Sequence, residues 1–137
     1  MNWAQSLIKI TNFEVVILQK RLAEIMDRRA AAEMRLVMMT AQGEAEAARA
    51  SEDAEAGWYH LGYQQGLRQR KDATLAEIAQ IGLEELGARD ALSEAFETLK
   101  KYEQVAESAR LAVVKEELKR ETAALDELGL RRAAGGR

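Results

Sequence analysis

Ile8 to Met39 reads IKITNFEVVILQKRLAEIMDRRAAAEMRLVMM, and the spacing within this stretch decides the fold. Alternating steps of three and four pick out Ile8, Thr11, Val15, Leu18, Leu22, Ile25, Arg29, Ala32, Leu36 and Met39. All but Thr11 and Arg29 are apolar, and a seam held over more than four heptads predicts a coiled coil rather than an ordinary amphipathic helix. Ile10, Val16, Ile17, Met26, Met34, Val37 and Met38 lie off the seam and widen the apolar stripe. A two-stranded seam has no need of that width, so a further partner surface is expected. Met34, Met38 and Met39 are expected to fill core, as unbranched methionine does in irregular gaps.

Towards the C-terminus a second series runs Ile78, Ile81, Glu85, Ala88, Leu92, Ala95, Leu99, Tyr102, Ala106, Ala109 and Val113. Beyond Val113 the register shifts, and Leu118, Leu125 and Leu128 continue it, in the manner of a stutter. Acid-before-base pairs four apart, such as Glu24 with Arg28 and Glu127 with Arg131, mark solvated helix faces. Two seams in one chain predict an all-α fold: a long antiparallel two-helix coiled-coil hairpin.

Composition agrees. The 137 residues include no proline and few aromatics, and Ala, Glu, Leu, Arg and Lys abound. Proline costs about 3 kcal/mol inside a helix, and those five residues are its best formers. Helices of roughly 50 to 70 residues would be about 75 to 105 Å long. Alanine-rich seams bury little, so modest stability alone and further stabilisation by partners are expected.

Where the chain turns is less plain. One candidate is the polar, small stretch Ser51–Gly57; the other is Gly66–Lys71, with Thr74 and Glu77 as a capping box opening the second helix. The apolar pattern alone favours the later one.

Several functions are excluded. The net charge of −3 is spread over 43 charged side chains of both signs, with no basic face for nucleic acid. Neither a secretory signal nor an apolar run long enough for a membrane span is seen, so no direct membrane insertion and a cytoplasmic setting are expected. With no cysteine and only His60, disulfides, thiolate metal sites and paired-histidine metal sites are out. No P-loop motif occurs, and Gly57, Gly62 and Gly66 follow no strand. Glu84 and Glu85 are adjacent on a helix and point apart. Catalytic, cofactor and metal residues are therefore expected to be none, and His60 an ordinary surface or turn residue.

Trp58, Tyr59 and Tyr63 cluster in an aromatic-poor chain, either capping the hairpin or forming a protein-binding patch. Arg68, Arg70 and Lys71 beside them read as a solvated face. Trp3, Leu7 and Phe13 either close the hairpin base or insert into a partner.

Three segments carry a family resemblance. ALSEAFETLKKYEQVAESARLAVVKEELKRETAALDELGLRR, residues 91–132, resembles the C-terminal half of alphaproteobacterial FliJ proteins, where an AEAFEELKK stretch leads to a closing LDE and basic residues. WYHLGYQQGLRQRKDATLAEI (58–78) resembles that family's region after the turn, and SLIKITNFEVVILQKRLAEI (6–25) its first helix. The resemblance implies a single coiled-coil domain, residues 1–137. Its first helix would span about 3–50, the turn about 51–57 and the second helix about 58–130, with a frayed tail at 131–137.

It also implies a non-enzymatic component of the flagellar (type III) protein export apparatus, working as a stalk. The partners implied are the hexameric export ATPase, the cytoplasmic domain of the membrane-embedded export gate, and export chaperones. The place implied is the cytoplasmic face of the inner membrane at the flagellar base. Carried onto this chain, Trp3, Leu7, Leu128, Arg131 and Arg132 would face the ATPase, and Trp58, Tyr59 and Tyr63 the gate. The alternative is a purely structural scaffold or strut unrelated to an ATPase.

Overall fold

A computed structural model describes residues 3–135, and these form two α-helices. Helix α1 spans Trp3–Glu52 and α2 spans Ala54–Gly135. They run antiparallel and pack side by side, and no strand occurs among the described residues.

Among the described residues only Asp53 lies outside the helices. Its carboxylate accepts a hydrogen bond from the Glu55 amide at 3.0 Å, the geometry of an N-cap that satisfies one of the donors orphaned at a helix start. The Asp53 amide donates to the Arg49 carbonyl and its own carbonyl accepts from Gly57, so little backbone hydrogen bonding is lost at the reversal. A β-carbon on Gly57 would stand 3.3 Å from the Ala50 carbonyl oxygen, so glycine lets the two helices part at this close quarter.

The break therefore lies inside the 51–57 interval and is shorter than it. Residues 66–71, which the apolar pattern favoured for the turn, are helical, and Thr74 opens no helix. Thr74 is buried in mid-helix, its hydroxyl donating to the Arg70 carbonyl at 2.9 Å. The pattern misled because the seam near the turn is made of small or polar side chains. Gly43, Glu46 and Ala50 on α1 and Ala56, His60, Tyr63 and Lys71 on α2 keep the three–four spacing, half-buried. Gly43 has a direct use: a β-carbon there would come within 2.6 Å of Leu67 Cδ2, and Leu67 is one of the few large side chains buried in this part of the seam. At the other end α2 continues through Arg131–Gly135, where a frayed tail was expected; residues 136 and 137 lie outside the described residues.

The chain divides into two compact units. One comprises Val15–Glu94, the other Met1–Glu14 with Ala95–Arg137. In the first, Ile25, Ala32, Ile81 and Ala88 form the core, with Leu22 and Ile78 packed against it. Alanine at 32 and 88 lets the helices approach closely, and Ala32 has no exposed surface. The ten α1 seam positions read from sequence are all buried or half-buried. Among them Arg29 reaches Glu85, with Nη1 2.7 Å from Oε2. The Glu85 side chain is only 10 % exposed, and Arg89 stands 3.8 Å from its other oxygen, which accepts no hydrogen bond. Arg28–Glu84 at 2.7 Å and Arg35–Glu77 at 2.9 Å bridge the helices at the surface.

In the second unit, Ala4 and Thr11 of α1 and Ala95 of α2 are buried, and the Thr11 hydroxyl donates to the Leu7 carbonyl. The first turns of α1, through Gln5 and Ile8, line a shallow groove with Glu103, Ala106, Arg110 and Val114 of α2. From Glu107 onward every described residue of α2 is exposed. Ala109 and Val113, which the seam spacing included, are among them; they share the groove with Gln5 and Ile8 without being covered.

Candidate functional site

The described residues offer several exposed surfaces for contact. No group of three His, Cys, Asp or Glu side chains among them is placed to hold a metal ion. None of the helices described is long and apolar enough to cross a membrane. His60 sits half-buried at a seam position of α2.

Three exposed surfaces stand out. Next to the turn, Trp58 and Tyr59 meet edge to face, ring centroids 4.9 Å apart and planes at 79°. They are 78 % and 64 % exposed, so neither caps the hairpin. An aromatic pair that stiffens itself while leaving most of its area in water is a ready anchor for another protein. Tyr63 is different. It is half-buried and lines a groove between the helices with Gly43, Ala47 and Leu67, so the three aromatics expected together separate into an exposed pair and a seam residue.

The second surface is the off-seam face of α1. Within Val15–Glu94, Val16, Ile17, Met34, Val37 and Met38 are exposed, which overturns the expectation that Met34 and Met38 fill core. Only Met39 does so; it falls on the seam, and its sulfur lies 3.8 Å from the buried Thr74 hydroxyl. In the other unit, Trp3, Ile10 and Phe13 are exposed and Leu7 half-buried, so Trp3 and Phe13 do not close the hairpin base.

The third surface is the α2 arm after Glu107. Leu111, Val114, Leu118, Leu125 and Leu128 are exposed at steps of three, four or seven. On a helix of 3.6 residues per turn this stripe is rotated roughly 100° from the seam residues Leu99, Tyr102 and Ala106. Leu111 and Val114 were not singled out from sequence as contact residues. Their spacing with Leu118 was the available signal, masked by the competing Ala109–Val113 register. Arg131 is paired with Glu127 at 3.0 Å, and Arg132 is exposed. Trp3 and Leu7 are not brought together with Leu128, Arg131 and Arg132. Gln5 and Ile8 of α1 share a groove with α2 residues up to Val114, about 20 Å of helix before Leu128.

Charge on these surfaces is locally compensated. The Glu77 carboxyl is held below its ordinary range, first by the hydrogen bond from Arg35, and Glu107 likewise by Arg110. Arg110 Nη2 stands 2.7 Å from Glu107 Oε1.

A helical hairpin with a small seam, large exposed apolar faces and a free helical arm defines a protein of the coiled-coil interaction class. Over 136 residues the chain is 57 % identical to "Flagellar FliJ protein" of Caulobacter vibrioides strain NA1000 / CB15N, covering 98 % of each. The protein of the same name from strain ATCC 19089 / CIP 103742 / CB 15 matches equally. The chain belongs to this flagellar FliJ family. No family model matches it, and no solved structure does.

Proposed function

We propose that this protein is a non-enzymatic component of the flagellar (type III) protein export apparatus, a coiled-coil stalk of the export ATPase. It sits at the cytoplasmic face of the inner membrane at the flagellar base. One end engages the ATPase ring, raises its activity and couples it to the export gate; export chaperones are further partners. The observation that carries this reading is 57 % identity along 98 % of the chain with proteins named for the flagellum. It is supported by the uncovered leucines of the α2 arm, which give a stalk something to insert.

The ATPase-facing residues are then Leu128, Arg131 and Arg132 on the arm, with Trp3 and Leu7 a separate patch on α1. A ring of like subunits around an unsymmetrical helix meets a different set of side chains in each subunit, and can thereby be biased in assembly and hydrolysis. The exposed Trp58–Tyr59 pair is the gate-facing anchor, with Tyr63 behind it in the seam.

The test is the ATP hydrolysis rate of the cognate flagellar export ATPase with and without this protein. Stimulation is expected, and removal of the turns around Leu125 and Leu128 weakens it first. An unchanged rate at saturating concentration refutes the coupling.

A further inference from the structure

The α2 arm carries a complete heptad seam of its own, and its charges say what fits it. From Glu107 the positions at alternating four and three are Leu111, Val114, Leu118, Glu121, Leu125, Leu128 and Arg132. All are exposed, and of these seam positions Val114 also lines the groove with Gln5 and Ile8 of α1, as Glu107 does at its start. A seam of five large apolar residues with an acid at one end, a base at the other and an acid in between is not matched by a copy of itself laid parallel. That arrangement sets Glu121 on Glu121 and Arg132 on Arg132 in a drying interface, where like charges repel.

Laid antiparallel, the same seam matches apolar residue to apolar residue on both sides of its centre and acid to base at both ends. Leu111 then faces Leu128 of a second copy, Val114 faces Leu125, and Glu107 meets Arg132, each contact occurring twice by two-fold symmetry. At the centre Leu118 and Glu121 cross, and Lys115 of the other copy stands within a turn or so of the Glu121 carboxylate. Arg110 and Arg131 approach each other at the flank, and each is already held by a carboxylate of its own chain, Glu107 and Glu127.

We propose that a second copy of this chain covers the arm, pairing the stretch Glu107–Arg132 antiparallel through Leu111, Val114, Leu118, Leu125 and Leu128. The paired stretch has about 26 residues, of which about half face the other copy. That falls short of the 20 to 30 residues a side of a standard interface, so the dimer is a weak and concentration-dependent one. It goes beyond the proposed function and does not rest on it. Because Leu128 and Arg132 serve both, self-pairing and docking of an ATPase exclude one another, and the dimer stores the arm with its leucines covered.

The full chain tests this without any partner. Sedimentation over a concentration series from micromolar to millimolar should show the mass rising from 15.3 kDa towards twice that value. The double variant Leu118→Asp, Leu125→Asp should stay at the lower mass, with circular dichroism reporting the helix content of the parent. The absence of native cysteine makes the orientation readable. Under mild oxidation a Leu111→Cys chain mixed with a Leu128→Cys chain should give a disulfide-linked dimer of the two, and neither should link to itself. A monomer at every concentration overturns the proposal and leaves the stripe to a different protein. Self-linking of the Leu111→Cys chain overturns the antiparallel arrangement, and self-association that survives the Asp substitutions places the contact elsewhere.

Discussion

Glu85 is the side chain on which the seam of Val15–Glu94 is most sensitive to a single change. Its carboxylate is nearly enclosed, yet one oxygen accepts no hydrogen bond and depends on Arg89 at 3.8 Å, while Arg29 holds the other. Arg29→Ala strands the charge with only the longer contact and is expected to cost about 1–3 kcal/mol, read from the denaturation midpoint. Replacing both partners, Arg29→Leu with Glu85→Leu, removes the desolvation of two charges and supplies packing. That double variant is expected to melt no lower than the parent. Glu77 gives a second prediction, in pH. The Arg35 hydrogen bond depresses its carboxyl, so its contribution is present above the ordinary value of 4.5 and is lost as pH falls through the depressed one. At neutral pH Glu77→Gln should melt slightly below the parent, and the gap should close on acidification below 4.5. A gap independent of pH would mean the ion pair contributes nothing.

For the elements, the deciding fact is how unevenly α2 is covered. Beside α1 its amides are shielded by a packed seam, whereas Lys115–Gly135 has solvent on all sides. An isolated helix of some 20 residues is marginal in water, so this segment opens locally without the rest unfolding. Hydrogen exchange on dilute protein should be roughly a hundredfold faster there than around Ile25 and Ile81. Equal protection would contradict the picture of an uncovered arm. Much of this level was legible in the sequence. The three–four spacing named the α1 seam from Ile8 to Met39, and the spaced positions from Ile78 to Ala106 on α2 are buried or half-buried as it demands. Around the turn it failed, since Gly43, Ala50 and Ala56 are too small, and Glu46, His60 and Lys71 too polar, to register as core. The spacing also could not say where α1 stops covering α2. Ala109 and Val113 keep the pattern, but coverage depends on which residue of one helix meets which of the other, and that follows from the turn.

For the molecule as a whole, function was legible as a class before any contact was known. A seam too small to satisfy its wide apolar faces pointed to surfaces for other proteins. The exposed candidates for contact were only partly legible, because exposure is a tertiary property. Trp58, Tyr59 and Tyr63 are close in sequence, yet Tyr63 lands on the seam spacing and is withdrawn from the surface. If the exposed pair meets the gate and the arm meets the ATPase, the two are separable. Trp58→Ala with Tyr59→Ala should leave stimulation of the ATPase within about twofold while swimming in soft agar is lost. Loss of stimulation in that variant would refute the division of labour.

The one-residue link at Asp53 has a mechanical corollary. Sliding one strand of Val15–Glu94 past the other by a heptad needs about 10 Å of travel, and a single residue spans under 4 Å, so slack must come from unwinding helical turns. Tension applied to either strand is therefore handed to its neighbour undiminished, as by a pin rather than a spring.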